Sequence, residues 1–268
     1  MTRYPLTPPP LTIPQFTIPQ FTIPQLTIPQ FTIHQLTIIM LLSLDTATRH
    51  SGLALYDGQQ IVAELNWHSV DAQTTELLPR LEQVMVWSGV RPGDLTAIAV
   101  SLGPGSFTGL RVAISLAKGM ALAHGLPMIG VPTLDATAYP HLSHGEPVCA
   151  VVQAGRGRVL WSIYQAGLSA GVASEVELGA WRGQRTPTAL TDGDRLAAAI
   201  DRRTRLVGEL TPDLRSILAD RTGELAVLAG PAVAVRRAGC VAELAWLRWQ
   251  AGQMDDPATL NPIYLHEP

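Results

Sequence analysis

Two short segments of this chain carry the residues best suited to bind a charged ligand. The first is Asp45-Thr-Ala-Thr48, which follows a short apolar run. Its carboxylate could hold a hydrated metal ion while the hydroxyls of Thr46 and Thr48 face a phosphate. The alternative is that Asp45 ends a strand and caps the following turn, because Asx and Ser/Thr turns are common in such places.

The second segment is the glycine-rich stretch 103–111, Gly-Pro-Gly-Ser-Phe-Thr-Gly-Leu-Arg. It contains three glycines and two hydroxyl residues, Gly103, Gly105, Gly109, Ser106 and Thr108. Because it lies between a predicted strand and a predicted helix, its amides could bind an anion at the helix terminus. It is neither a Walker A loop, which needs Lys and Ser/Thr after the last glycine, nor a dinucleotide-binding fingerprint, because no acid ends the next strand. The alternative is a tight turn in which Ser106 or Thr108 caps the helix.

Several function classes are disfavoured by composition. The two cysteines, Cys149 and Cys240, form no CxxC motif, which argues against a disulfide scaffold or a cysteine zinc site and favours a reducing, cytoplasmic setting. His141 and His144 lie in a linker with no third ligand nearby, so we expect exposed histidines and no metal site. A net charge of −3 argues against a nucleic-acid-coating protein, and interrupted apolar stretches argue against a membrane span.

The elements predicted around both segments are those of an α/β protein. Residues 41–45, 52–56 and 61–65 read as a three-stranded meander, followed by a helix over 72–88. A strand over 96–100, a helix to about 124 and a strand over 127–131 predict a βαβ crossover with parallel strands. Further strands are predicted near 148–153 and 158–165, and helices near 191–201, 211–219 and 231–252.

Residues 1–39 differ from the rest of the chain. They contain a five-residue Thr-Ile-Pro-Gln repeat with proline at 14, 19, 24 and 29. Regular proline prevents a helix and disrupts strand pairing, so we expect this segment to be disordered, or to be translated upstream DNA with Met40 as the real start. The alternative is a docking arm in polyproline II form.

Three segments together resemble one family. Residues 40–48, 103–111 and 127–134 closely resemble the TsaB (YeaZ) family, whose members carry a Gcp-like domain, and the similarity extends to the tail Asn261-Pro-Ile-Tyr-Leu265. The resemblance implies an α/β protein with a two-lobed, actin/Hsp70/sugar-kinase-like fold and a short second lobe. We divide the chain into the repeat 1–39, a first lobe 40–142 and a second lobe 143–268.

The resemblance also implies a role without catalysis of its own. Family members are partners of the catalytic subunit TsaD, joined by TsaE, in the bacterial complex that makes threonylcarbamoyladenosine in tRNA. The complex uses ATP and a metal held by the partner, so no cofactor is expected here, and a homodimer is a further expectation. TsaD has two metal-binding histidines where this chain has Thr133 and Thr137, and hydroxyls are poor ligands for such a metal. Gln153 stands where many relatives have aspartate.

Two other functions stay open at this stage. One is an ATP-dependent enzyme that uses Asp45, or the metallopeptidase of an old family label. The other is a nucleotide-sensing module. The metal-poor sequence disfavours a peptidase, and the incomplete set of phosphate loops disfavours a kinase.

The helix near 108–124 is apolar over most of its circumference, which predicts a second contact besides the sheet. Ala113, Ala117 and Ala121 recur every fourth residue, so another helix could approach closely along this row, and the helix that carries Leu77, Leu81 and Met85 is the natural neighbour in the same lobe. The alternative is that the second lobe of this chain covers the surplus apolar face. We predict a partner interface formed by Leu77, Leu81, Leu110, Ala113, Ala117 and Ala121. A charge placed at an exposed alanine of the row should abolish complex formation. Burial of all three alanines in the monomer would mean that the partner docks elsewhere.

Overall fold

The computed structural model describes residues 39–70, 72–166 and 174–264. The repeat at 1–38 and Leu265 of the tail therefore lie outside the described residues. Two sheets with helices packed on them make up the described chain, which confirms the predicted α/β class and the two-lobed, actin-like fold. Among the described residues, none of the helices is long and apolar enough to cross a membrane.

The first sheet has five strands, which are β1 (Leu41–Asp45), β2 (His50–Tyr56), β3 (Ile61–His68), β4 (Ala97–Gly103) and β5 (Met128–Pro132). Their order is β3-β2-β1-β4-β5. The first three pair antiparallel as the predicted meander, and β1, β4 and β5 run parallel. Two helices follow the prediction closely, α1 (Gln73–Ser88) and α2 (Phe107–His124), and α3 (Thr133–Ala138) comes directly after β5. The βαβ crossover is confirmed.

The second sheet contains β6 (Val148–Gly155), β7 (Arg158–Gln165), β8 (Ser174–Leu178), β9 (Trp181–Arg185), β10 (Ala189–Asp192), β11 (Thr204–Gly208) and β12 (Ala226–Leu228). Its order is β12-β11-β6-β7-β9-β8, and β10 also pairs with β7. The remaining helices are α4 (Gly193–Ala198), α5 (Pro212–Thr222), α6 (Pro231–Ala234) and α7 (Ala238–Gln250). The division of the chain at residue 142, between α3 and β6, stays a prediction.

Successive side chains of β1 belong to two different parts of the core, one on each face of the first sheet. Leu42 and Leu44 pack with α1 and α2 on one face, whereas Leu41 packs with α3 and α7 on the other. Successive strand residues face opposite sides of a sheet, so an uninterrupted apolar strand requires cover on both. The C-terminal helix α7 supplies part of that cover, and the chain therefore returns to the first sheet after the second is complete.

Two expectations about local structure were wrong. The single helix predicted at 231–252 is two helices, because residues 235–237 are not helical. The backbone is extended on both sides of Arg236, with φ −73° and ψ 133° at Val235 and φ −110° and ψ 140° at Arg237. Between them, the side chain of Arg236 is directed into the protein. His141 is buried rather than exposed, because the linker forms a 3₁₀ helix (Tyr139–His144) whose Leu142 joins the core.

Candidate functional site

Asp45 ends β1 inside the protein, with only 2% of its surface exposed. Its Oδ1 accepts a hydrogen bond from the backbone amide of Ala47 at 3.0 Å, which is the turn-capping contact that the sequence left as an alternative. The Thr46 hydroxyl donates to the carbonyl of Gly109 at 2.6 Å. The Thr48 hydroxyl oxygen accepts from the amide of His50 at 3.2 Å. The polar groups of this segment are thus engaged within the protein.

The Asp45 carboxylate faces the guanidinium of Arg236, which arrives from the extended stretch between α6 and α7. Arg236 Nη2 donates to Asp45 Oδ1 at 3.1 Å, and Nε donates to Oδ2, so the pair is bidentate. Both side chains are 2% exposed. Burial alone lowers the pKa of Arg236, but the nearby acidic groups, Asp45 foremost, together raise it above its ordinary value. A cation supplied by the chain itself, Arg236, therefore occupies the position where the sequence had left a hydrated metal ion open as one of two interpretations.

The glycine-rich stretch packs directly on the backbone of the Asp45 segment. A Cβ at Gly105 would overlap the carbonyl oxygen of Ala47, and one at Gly109 would overlap that of Thr46. Gly103 has φ +109°, and a Cβ there would lie 2.7 Å from the carbonyl oxygen of Ile263. Close backbone approach therefore explains these glycines.

The amides of this stretch also have internal acceptors. Ser106 is the N-cap of α2, and its hydroxyl accepts from the amide of Gly109 at 3.2 Å, as the capping alternative predicted. The amide of Ser106 itself donates to the carbonyl of Ala47 at 2.6 Å. Thr108 is exposed on the first turn of α2. The two segments that the sequence singled out are thus neighbours, and they bind each other.

A cleft of about 850 Å³ lies beside this junction and between the two sheets. Its walls include Arg49, His50, His68 and Phe107 from the first sheet's side and Gln153, Arg156 and Glu209 from the second. The ring centroids of His50 and His68 are 5.3 Å apart in a T-shaped contact. Burial lowers the pKa of His50, and the carboxylate of Glu209 partly opposes that effect.

Thr133, Thr137 and Gln153 stand at the positions that the resemblance linked to metal or anion binding. All three side chains are neutral, and those of Thr137 and Gln153 donate hydrogen bonds to backbone carbonyls. Thr133 and Thr137 are buried, and the Thr137 hydroxyl donates to the carbonyl of Thr133 at 2.7 Å within α3. The Gln153 side chain donates through Nε2 to the backbone carbonyl of Glu209 at 2.7 Å, and the backbone amide of Gln153 donates to the Glu209 carboxylate at 2.8 Å. In the described part of the chain, no three His, Cys, Asp or Glu residues are grouped as they would be around a metal ion.

The six residues proposed as a partner interface are all buried inside the monomer: Leu77, Leu81, Leu110, Ala113, Ala117 and Ala121. Most of them belong to the core cluster between α1, α2 and the sheet. The three alanines lie in this chain's own core, where α2 packs on β4 and beside α1. The row is therefore not a docking surface, and an interface must use other residues.

Outward-facing residues of the same two helices leave an apolar groove. Val86 is 72% exposed and Leu78 is 59% exposed, although both are aliphatic. They border a depression of about 800 Å³, whose walls also include Met85, Val90, Leu116, Met120 and Ala123. We call this depression the α1–α2 groove. A contiguous apolar hollow of this kind marks an interaction site more often than scattered exposed side chains do.

Two features that define these sites were not predicted from the sequence. Arg236 lies 191 residues from Asp45, and a lone arginine in an apolar stretch carries no spacing signal. The exposed residues of α1 did carry one, because Leu78 and Val86 lie away from the face formed by Leu77, Leu81, Val84 and Met85.

The chain is similar to proteins that are named for one pathway. The family model of TsaD, described as tRNA N6-adenosine threonylcarbamoyltransferase, matches residues 70–173. The tRNA threonylcarbamoyladenosine biosynthesis protein TsaB of Escherichia coli is 34% identical over 152 residues, which are 56% of this chain and 62% of that protein. The chain thus spans less than two thirds of the length of that relative.

Two further relatives agree with this match. The tRNA N6-adenosine threonylcarbamoyltransferase of Burkholderia cenocepacia is 32% identical over 125 residues, which are 41% of this chain and 36% of that protein. Among solved structures, YeaZ from Pseudomonas aeruginosa superposes with a TM-score of 0.66 at 26% identity, over 85% of this chain and all of that one.

Proposed function

The chain belongs to the TsaB/YeaZ family, and we propose that it is a non-catalytic subunit that binds TsaD in the synthesis of threonylcarbamoyladenosine in tRNA. The observation that carries this proposal is the match to proteins named for that pathway, together with a likeness in fold to YeaZ over most of the chain. tRNA is then the substrate of the complex, and TsaE its further component.

The ion pair at the end of β1 supports a role without catalysis. An ATP-dependent enzyme of this fold would use Asp45 toward a metal or a phosphate, and here that carboxylate is bound at both oxygens by Arg236. A carboxylate held this way is not available as a general base or a metal ligand without first breaking a buried ion pair. This weighs against the kinase and transferase alternatives, and ATP turnover by the purified chain would be the result in their favour.

The α1–α2 groove supports a role in binding. Its walls are mostly apolar, and they also include the exposed polar residues Glu82, Arg91 and His124. Apolar centres with polar rims are typical of interfaces between proteins. We propose that TsaD docks in this groove, and that in the absence of TsaD the same surface pairs two copies of this chain.

Co-purification tests this function. The chain is expressed with the TsaD of the same organism, with and without TsaE, and the complexes are then assayed for threonylcarbamoyladenosine on tRNA. We expect a stable complex with TsaD and a tRNA modification that requires this chain. No complex under either condition, or modification that is equal without the chain, would contradict the proposal.

A further inference from the structure

Four oxygen atoms accept hydrogen bonds from the planar guanidinium of Arg236. Besides the two carboxylate oxygens of Asp45, the guanidinium faces the Thr48 hydroxyl oxygen at 3.4 Å and the His50 carbonyl oxygen at 3.3 Å, both from Nη2. All four acceptors come from residues 45–50, which run from the last residue of β1 to the first residue of β2. The donor comes from the opposite end of the chain.

Local contacts that do not involve Arg236 hold these acceptors in place. Asp45 is oriented by the amide of Ala47, and Thr48 by the amide of His50 at 3.2 Å. Because Gly105 and Gly109 have no Cβ, the glycine-rich stretch can pack directly on the carbonyls of Ala47 and Thr46. Because the site is held by neighbouring backbone, it does not depend on the side chain that fills it.

The start of α7, which directly follows the connection that carries Arg236, is also held on the first sheet. The amide of Ala238 donates to Asn66 Oδ1 at 3.2 Å, and the Ser43 hydroxyl donates to the carbonyl of Ala238 at 2.8 Å. The amide of Gly239 donates to Glu64 Oε1 at 2.9 Å. The residues directly after Arg236 thus have their own contacts to β1 and β3.

We propose that residues 45–50 form a binding site for guanidinium groups, which this chain fills permanently with its own Arg236. A guanidinium fits because its planar fork matches two carboxylate oxygens through Nε and Nη2, and the second N–H of Nη2 is shared between the hydroxyl and the carbonyl. A spherical ammonium ion cannot reach all four acceptors in this way. The filled site closes the end of β1 to a metal-bound phosphate and ties the connection before α7 to the first sheet.

Chemical rescue of Arg236→Ala tests this inference on the isolated chain, so the result does not depend on whether TsaD binds. The variant should melt at least about 6 °C below the wild type, because it leaves a buried carboxylate unpaired. Millimolar guanidinium should restore much of that loss in a saturable way. Urea has the planar shape without the charge, ammonium has the charge without the fork, and magnesium is a metal, so these three should restore little.

Arg202→Ala is the matched control, because Arg202 also pairs with an aspartate, Asp201, but at the surface. It should melt close to the wild type and gain nothing from guanidinium. Rescue by magnesium or ammonium equal to that by guanidinium would overturn the inference, as would no rescue at all.

Two further variants serve if Arg236→Ala does not fold. Arg236→Lys keeps the charge without the fork and should still melt below the wild type. The double variant Asp45→Asn/Arg236→Met removes both charges and should melt above Arg236→Lys and above Asp45→Asn alone. If Arg236→Lys melts like the wild type, the site has no preference for guanidinium and the inference is wrong.

Discussion

A charge at Val86 should abolish binding of TsaD without unfolding the chain. Val86 is 72% exposed in the α1–α2 groove, so a docked partner would bury most of its surface. Replacing valine by glutamate forfeits about 1 to 2 kcal/mol of apolar burial and leaves a carboxylate to be desolvated without a partner, at a cost of a few kcal/mol more. A total of about 4 kcal/mol corresponds to a roughly thousandfold weaker complex.

Binding of Val86→Glu to immobilised TsaD is measured beside Val86→Arg and Val233→Glu. A glutamate at this position could form a new ion pair with Arg91, which borders the same groove, whereas an arginine could not. Val86→Arg therefore shows whether the loss of binding comes from burying a charge of either sign. Val233 is 59% exposed on α6 and does not line the groove, so Val233→Glu makes the same chemical change elsewhere. All three should melt within about 2 °C of the wild type. If Val86→Glu binds within about threefold of the wild type, TsaD does not use this groove; if Val233→Glu loses as much affinity as Val86→Glu, the loss is not specific to the groove.

Three further outcomes test the site and the chain's organisation. Gly109→Ala should destabilise the protein by about 1 to 3 kcal/mol in denaturant unfolding because its Cβ overlaps the Thr46 carbonyl, whereas Gly119→Ala on the same helix has nothing within 4 Å and should gain up to about 1 kcal/mol. Burial lowers the pKa of His50 in the folded protein, so folding favours the neutral imidazole. The stability that neutral His50 allows is present above about pH 6.5, the pKa of a free histidine, and is lost as the pH falls through the lower pKa of the folded state. The melting temperature of the wild type should therefore drop more on acidification than that of His50→Gln. Deleting residues 1–39 should leave the melting temperature and TsaD binding unchanged, and a large loss in either would make the repeat structural or a docking arm.

Local patterns were enough to predict the first sheet and the position of the two site segments. The meander and the βαβ crossover follow from apolar periodicity and turn residues, and parallel strands bring the ends of β1 and β4 to one edge. The glycine-rich stretch was recognised as special, but its physical reason was not. Gly105 and Gly109 are needed for contact with the Asp45 segment, which no spacing within the stretch reveals.

Tertiary contacts decided what the sequence could not. Helical periodicity predicted one helix over 231–252, but the buried ion pair draws Arg236 inward and the backbone is extended around it. The surplus apolar surface of α2 was assigned to an interface with another protein. Ala113, Ala117 and Ala121 are instead buried in this chain's own core, because apolar surface on a helix does not say whether the same chain covers it.

The level of threonylcarbamoyladenosine in cellular tRNA tests the proposed function most directly. Cells are depleted of this chain, their tRNA is digested to nucleosides, and the modified nucleoside is quantified by mass spectrometry, with re-expression of the full chain or of Val86→Glu. We predict that depletion lowers the modification, that the full chain restores it and that Val86→Glu does not. An unchanged level of threonylcarbamoyladenosine in depleted cells would contradict a role for this chain in making it.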